Sequence, residues 1–168
     1  KRTHIELILQ ENNNFPIEKF KSKIKKIKYL DQKQFKKKYG THQATQGVVL
    51  KTQEFSRPSL RDFLKYENEN SKSVILVLDQ ITDPQNVGSI MRSCALFNCK
   101  GIIVSKDNSP ELTPSLLKAA SGAAELVNYY KVTNLRRCLV DLKNYGYWIY
   151  GFDSSSKSKS NLKFESKS

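Results

Sequence analysis

The 168 residues include only three cysteines, Cys94, Cys99 and Cys138, an odd count with no CxxC pair. That argues against a disulfide framework and against a zinc site. The thiols instead read as small core residues of a protein kept in the reducing cytoplasm. Two histidines, His4 and His42, are too few and too isolated to build a metal site. No apolar run approaches the roughly 18 residues of a membrane span; the best are Val74–Leu78 and Gly101–Val104. No secretory or transit peptide stands at the start, and no initiator Met, so the chain is expected to be an excerpt. Glycine-rich phosphate loops of the GxGxxG or GxxxxGK[ST] type are missing, which leaves a dinucleotide site or a P-loop poorly supported. A Ser-His-Asp hydrolase is unsupported too, because the second half has no histidine.

Acidic residues are also scarce: 16 Asp and Glu face 29 Lys and Arg, a net charge of +13. Residues 1–70 hold 16 basic and 8 acidic groups, and residues 71–168 hold 13 and 8. Between Lys19 and Lys38 ten lysines face Asp31 alone. The 23 lysines against 6 arginines, with 12 asparagines, carry the stamp of an AT-rich genome. Such bias favours Lys over Arg but does not remove Asp and Glu. A polyanionic partner explains the imbalance better than a merely solvated face. Lys25, Lys26, Lys36, Lys37 and Lys38 are the candidate contacts.

The second half has a regular rhythm. Ser73–Leu78 is a buried strand, followed by a helix over Val87–Phe97 with Val87, Ile90, Met91 and Cys94 at helical spacing. Gly101–Val104 is the next strand, and Thr113-Pro114 caps a helix near Ser115–Ala120 that ends by Gly122. Leu126–Tyr130 is a third strand. Thr133 then caps a helix carrying Leu135, Cys138, Leu139 and Leu142, stopped by Gly146. Tyr147–Phe152 reads as a fourth strand. Buried strands alternating with helices predict βαβ units and a parallel sheet covered on both faces. In the first half, His4–Gln10 reads as a helix remnant and Phe20–Leu30 fits helix or strand. Asp31–Lys38 reads as a helix stopped by Gly40, and Gly47–Thr52 as a strand. Phe55–Ser71 is a connector with one short helix at Ser59–Tyr66. The seven serines among Asp153–Ser168 suggest a disordered tail.

The segment Leu78–Ser93, LDQITDPQNVGSIMRS, carries the chemistry. A strand runs into a polar loop and the loop into a helix, the place where open α/β sheets bind ligands. Asn86 reads as the helix N-cap, where backbone N–H groups favour an anion. Gly88 removes a Cβ that would hold a ligand or a chain away. Arg92 lies six residues on, about 9 Å along the helix, and its guanidinium can grip phosphate. A plain βα turn would explain the same residues structurally.

The string LDQITDPQNVGSIMRSCALF closely resembles the first signature of the SpoU (TrmH-like) RNA ribose 2′-O-methyltransferases, with core pattern N-x-G-x-x-x-R at Asn86, Gly88 and Arg92. The resemblance continues through Gly101–Val104, Ala120–Glu125 and Val132–Leu135. Upstream, Thr41–Val49 looks like the family's H-Q-G-V strand, spread by an inserted stretch, with His42 as the matching residue. That part is similar to the ribosomal-protein-L30e-like RNA-binding domain of the 23S rRNA guanosine methyltransferase branch. The resemblance implies an α/β protein: a small L30e-like α/β domain at 1–55, a linker at 56–72, and a parallel-sheet SPOUT (α/β knot) methyltransferase domain at 73–168. The G-S-E-G-x-G-like loop and the S-L-N loop of the family, which form the knot and most of the donor pocket, do not occur. The catalytic domain is therefore expected to be incomplete at its C-terminus, and Asn161–Ser168 resembles the approach to the strand before the second signature.

The resemblance implies transfer of a methyl group from S-adenosylmethionine to a ribose 2′-hydroxyl of structured RNA, rRNA ahead of tRNA. The enzyme would be a cytoplasmic homodimer with no membrane partner and no metal. By resemblance Asn86 and Arg92 are catalytic, Arg92 and His42 touch RNA, and Gly151 and Phe152 border the donor. Glu125 reads as structural. The rival from another class is a non-catalytic RNA-binding fragment, favoured by the missing signatures. A receiver-like signalling domain would need an acidic cluster that Asp79 and Asp83 do not supply. Replacing Lys25, Lys26, Lys36, Lys37 and Lys38 by Gln is expected to weaken RNA binding. Each lost phosphate contact should flatten the log–log salt slope by about 0.7–0.9. Filter binding across a salt series measures this, and an unchanged slope would make the lysines a solvated face.

Overall fold

The computed structural model describes residues 4–40, 45–54, 56–66 and 72–153. His42, and the serine-rich stretch from Ser154 on, lie outside the described residues. The chain divides into two compact units, 1–56 and 57–168.

The first unit is built on β1 (His4–Gln10), β2 (Ile24–Leu30) and β3 (Val48–Thr52), in the order β2-β1-β3. β1 runs parallel to β2 and antiparallel to β3. The segment expected as a helix remnant is thus the central strand. Leu7, Ile8 and Leu9 are consecutive and all buried. Burial on both faces leaves no alternation to read, and a short apolar run of this kind does not separate strand from helix by period. Two ladders satisfy its backbone groups, which decides for the strand. Phe20–Leu30 resolves into a single 3-10 turn at Lys21–Lys23 and then β2.

Helix α1 (Gln32–Tyr39) joins β2 to β3. The Asp31 carboxylate accepts from the Gln34 N–H at 2.8 Å, and the Gly40 N–H closes the last turn on the Lys36 carbonyl at 2.8 Å. The helix sets Phe35 on Ile8 and Leu30, with Tyr39 and Val49 at the margin. On the sheet, Glu6 of β1 stands opposite Lys26 of β2 and Lys51 of β3. Its carboxylate lies 3.7 Å from Lys26 Nζ and 3.4 Å from Lys51 Nζ.

The second unit opens with α2 (Leu60–Tyr66) and continues as β4 (Ile75–Leu78), α3 (Pro84–Leu96), β5 (Gly101–Ser105), α4 (Pro114–Ala119), β6 (Asn128–Val132) and α5 (Leu135–Asn144). The strands form an all-parallel sheet in the order β4-β5-β6. One face packs Phe63 and Leu64 of α2 and Cys138 and Leu142 of α5 against Ile75, Ile103 and Tyr130. Ile102 and Val104, which alternate with Ile103, point to the other face. There α3 lies on β5 and packs along α4, burying Val87, Met91 and Cys94 beside Leu116. The βαβ sandwich expected from the pattern is present.

Two local expectations are overturned. Asn134, not Thr133, caps α5, its side chain accepting from the Arg137 N–H at 2.8 Å. Tyr147–Phe152 forms no strand. Tyr147 alone is buried, its hydroxyl sharing a 3.0 Å hydrogen bond with Ser73 Oγ. Beyond it Trp148 and Phe152 are 61% and 78% exposed. The aromatic run has strand propensity but gains no ladder partner among the described residues, and propensity without pairing does not make a strand.

The α3–α4 contact depends on Gly88. A Cβ there would stand 2.5 Å from the Ala119 Cβ and 2.9 Å from the Ala120 backbone nitrogen. Gly88→Ala is therefore expected to push the helices apart and lower stability by about 1–3 kcal/mol. Urea unfolding followed by circular dichroism measures it, with Ser93→Ala on the exposed face as the near-neutral control. Unaltered stability in Gly88→Ala would show that the seam yields.

Candidate functional site

The strand β4 ends at Leu78, and the chain turns at Gln80, whose φ is +55°. A non-glycine residue in the left-handed region is held there by its surroundings. Asp83 is extended, with φ −78° and ψ 120°, and its carboxylate accepts from the Gln85 N–H at 3.0 Å. Asp83, not Asn86, is thus the N-cap of α3. The reason lies in Asp83-Pro84. A residue before proline is driven out of the helical region, which is the cap conformation, and proline at the first helical position loses no hydrogen bond.

Asn86 consequently sits inside the first turn, with its amide not engaged in capping. It is exposed and lines an open depression of about 410 Å³ together with Gln80–Asp83, Ser89 and Ile90. Ser89 was not singled out from the sequence. Its distance from Asn86, one helical turn, was the available signal, and a serine is too common on a helix surface to stand out. Arg92 is exposed but is not part of the depression's wall. Its Nη2 lies 3.5 Å from Ser89 Oγ, so Ser89 links it to the site. Asn86, Ser89, Arg92 and Ser93 form the polar side of α3, opposite buried Val87, Met91 and Cys94. The start of α3 adds the positive end of a helix dipole. An anionic group carrying a hydroxyl can be gripped here through charge and hydrogen bonds. Gly88, meanwhile, serves the chain contact with α4 and not a ligand.

Gly151 and Phe152 lie on irregular, exposed chain. The strand expected to carry them to the sheet's carboxyl edge is not formed, and no described contact places them beside Asn86. Glu125 ends a 3-10 turn after Ser121 and Gly122, at φ +48° and +88°, and the Arg57 guanidinium donates to the neighbouring Ala124 carbonyl. The five lysines do not form one patch. Lys25 and Lys26 point to opposite faces of β2, and Lys26 is paired with Glu6. Lys36, Lys37 and Lys38 occupy the last turn of α1, with Lys38 Nζ 5.6 Å from the Tyr39 ring centroid. Among the described residues no acid pairs with Lys25, Lys36 or Lys37.

Two of the thiols, Cys94 and Cys138, are buried and held neutral by their surroundings. Burial, reinforced by the adjoining Cys99, pushes the Cys94 thiol up to about 12. The left-handed Asn98, φ +56°, folds Cys99 back so that its N–H donates to the Cys94 carbonyl at 2.8 Å. Burial also raises Cys138, with Asp141 adding to it. Tyr129 is raised to about 12 by burial and then by Glu111.

Residues 73–168 match the sequence profile of the SpoU rRNA Methylase family. The 23S rRNA (guanosine-2′-O-)-methyltransferase RlmB of Neisseria meningitidis is 40% identical over 117 residues, 70% of this chain and 45% of the relative. The enzyme of the same name from Pseudomonas putida is 38% identical over 112 residues, 67% of this chain and 44% of the relative. The chain spans somewhat less than half the length of these relatives. The crystal structure of the SpoU methyltransferase AviRb from Streptomyces viridochromogenes, in complex with AdoMet, superposes with a TM-score of 0.65 at 14% identity. The match covers 85% of this chain and 53% of that one. The fold is therefore that of the SpoU methyltransferases. No helix among the described residues is long and apolar enough to cross a membrane.

The raised thiol and phenol have a pH consequence. Both groups stay neutral in the folded state while the unfolded chain ionises at the ordinary pKa, about 9 for Cys94 and about 10 for Tyr129. Their contribution is present in full below those values and is lost as pH rises through the folded value of about 12. Urea stability is expected to be flat near neutrality and to fall from pH 9 upward. Cys94→Ala should flatten the first part of that fall. An identical alkaline slope in the variant would show that the thiol is not the group responsible.

Proposed function

The chain belongs to the SpoU rRNA methylase family, and from that footing we propose that the whole protein methylates a ribose 2′-hydroxyl of structured RNA in the cytoplasm, with 23S rRNA ahead of tRNA as substrate. S-adenosylmethionine is the proposed donor. The support is the AdoMet complex of the AviRb relative and the named activity of the RlmB relatives. The observation that carries the assignment to this chain is the arrangement of Asn86, Ser89 and Arg92 on the one exposed face of α3, where that helix leaves the carboxyl edge of the sheet.

The described residues do not by themselves enclose such a donor. The depression beside Asn86 is open, and Gly151 and Phe152 are exposed. No donor contact is therefore assigned to them, and the chemistry of this chain concerns the acceptor. A ribose hydroxyl is a weak nucleophile and must be aligned and relieved of its proton. A guanidinium is a poor base. The natural task of Arg92 is to hold the phosphate next to the target ribose and stabilise negative charge as the hydroxyl ionises, the phosphate oxygen taking the proton. Asn86 and Ser89 offer an amide and a hydroxyl to fix the sugar. The lysines of α1 add sequence-independent hold on the RNA backbone, and the native enzyme is proposed to act as a homodimer.

The test is transfer of labelled methyl from S-adenosylmethionine to an rRNA transcript by the full native chain, with the site read as a ribose resistant to alkaline cleavage. No label in RNA would sink the assignment. Arg92→Lys keeps the charge and loses the two-pronged geometry. Its rate should fall at least about tenfold, roughly 1.4 kcal/mol of barrier, with little change in melting temperature. Undiminished transfer by the Lys variant would return Arg92 to the role of a surface charge.

A further inference from the structure

A second cavity of the catalytic unit lies away from the Asp83–Asn86 loop. It is a half-open groove of about 600 Å³ between α2 and α5, at the carboxyl end of β6. Its floor is apolar, made by Leu64 and Val132, and its rim carries Arg61 from α2 with Thr133, Asn134 and Arg137 from the start of α5. Asn134, Cys138, Asp141 and Tyr145 recur every three or four residues and, with Arg137, make up the wall contributed by α5. A helix stripe turned toward a neighbouring helix is ordinarily apolar. Here Asn134, Arg137 and Asp141 make it polar, while Cys138 belongs to the core shared with Phe63 and Leu64.

The charges in the groove are unbalanced. Its one carboxylate, Asp141, is already 3.7 Å from Arg137 Nε on the same helix. Arg61 has no acidic partner among the described residues. Two guanidiniums therefore face one carboxylate, and the first turn of α5 adds the positive end of its dipole. The volume lies within the range of sites that enclose a small organic ligand. A site with guanidiniums on the rim and an apolar floor suits a phosphate joined to a flat base.

We propose that this groove holds a second nucleotide of the same RNA whose target ribose is presented at Asn86 and Ser89. Its phosphate lies on Arg61 and Arg137 and its base lies against the apolar floor. The strands are parallel, so the ends of β4 and β6 share one edge of the sheet, two strand spacings or about 10 Å apart. α3 covers one face of the sheet and α2 and α5 the other, so an RNA strand crosses that edge to occupy both places. The inference rests on the proposed reaction for the identity of the polymer. The groove's chemistry by itself suits any nucleoside phosphate.

The test is an amide-resolved NMR titration of the intact protein with 5′-GMP, with inorganic phosphate, and with a single-stranded RNA oligomer. Saturable shifts are expected at Thr133, Asn134 and Arg137 with 5′-GMP, at lower concentration with the oligomer and weakly with phosphate. No saturable shift there would overturn the site. Equal effects of phosphate and 5′-GMP would overturn the base contact, and equal affinity for 5′-GMP and the oligomer would overturn the RNA strand as occupant. In methyl transfer, Arg61→Gln should raise the KM for RNA about tenfold, with the change falling on KM and not on kcat. An unchanged KM would overturn the positioning role. Failure of the proposed reaction would show as no transfer by the unaltered protein and would leave the titration result standing.

Discussion

The close approach of α3 and α4 at Gly88 is the constraint on which the second unit rests. A Cβ at that position has no room against Ala119 and Ala120. With hydrogen there, α3 settles onto the sheet deeply enough to bury Val87, Met91 and Cys94 completely. The rotation of the helix is then set by that buried stripe, and the opposite side must carry Asn86, Ser89, Arg92 and Ser93 into solvent. The position of the polar residues is thus a consequence of packing on the far side of the same helix. Small residues continue the seam, since Ala120, Ala123 and Ala124 are also buried beneath it.

Charge is handled differently in the two units. In the first, one acid on the central strand is shared between two lysines, Glu6 between Lys26 and Lys51. That pairing removes part of the self-repulsion of a chain carrying +13, while the lysines at the end of α1 have no acidic partner among the described residues. The carboxylate is mostly buried while both ammonium groups remain in solvent, so the pairing chiefly decides where the positive potential remains. In the second unit Arg61 and Arg137 line the groove beyond β6, and Arg92 stands beside Ser89 on α3. Guanidinium geometry there favours defined phosphate contacts over diffuse attraction.

Much of the site was legible in the sequence because its signals are local. The strand Ser73–Leu78, the Asp83-Pro84 turn and the apolar spacing of Val87, Met91 and Cys94 lie within twenty residues of one another. The errors also have local causes. Asn86 and Thr133 are good capping residues, but each stands beside a better-placed one, Asp83 before a proline and Asn134 one position on. Capping is a competition among neighbours that composition alone does not rank. Ser89 escaped notice because its role comes from its place between Asn86 and Arg92 and not from its chemistry.

The sequence by itself determined the α/β alternation of residues 73–144, the polar loop after the first strand of that unit, the excess of positive charge and the family. Each is written in period, composition or a contiguous motif. Tertiary structure alone decided that His4–Gln10 is a strand and that Tyr147–Phe152 is not. Both segments are short and apolar, and their state depends on whether another strand offers its N–H and C=O groups. β1 finds two such partners, β2 and β3; the aromatic run finds none among the described residues. Tertiary structure also decided that Gly88 serves α4 and that α2 and α5 stand apart over a groove, because these are contacts between residues distant in the chain.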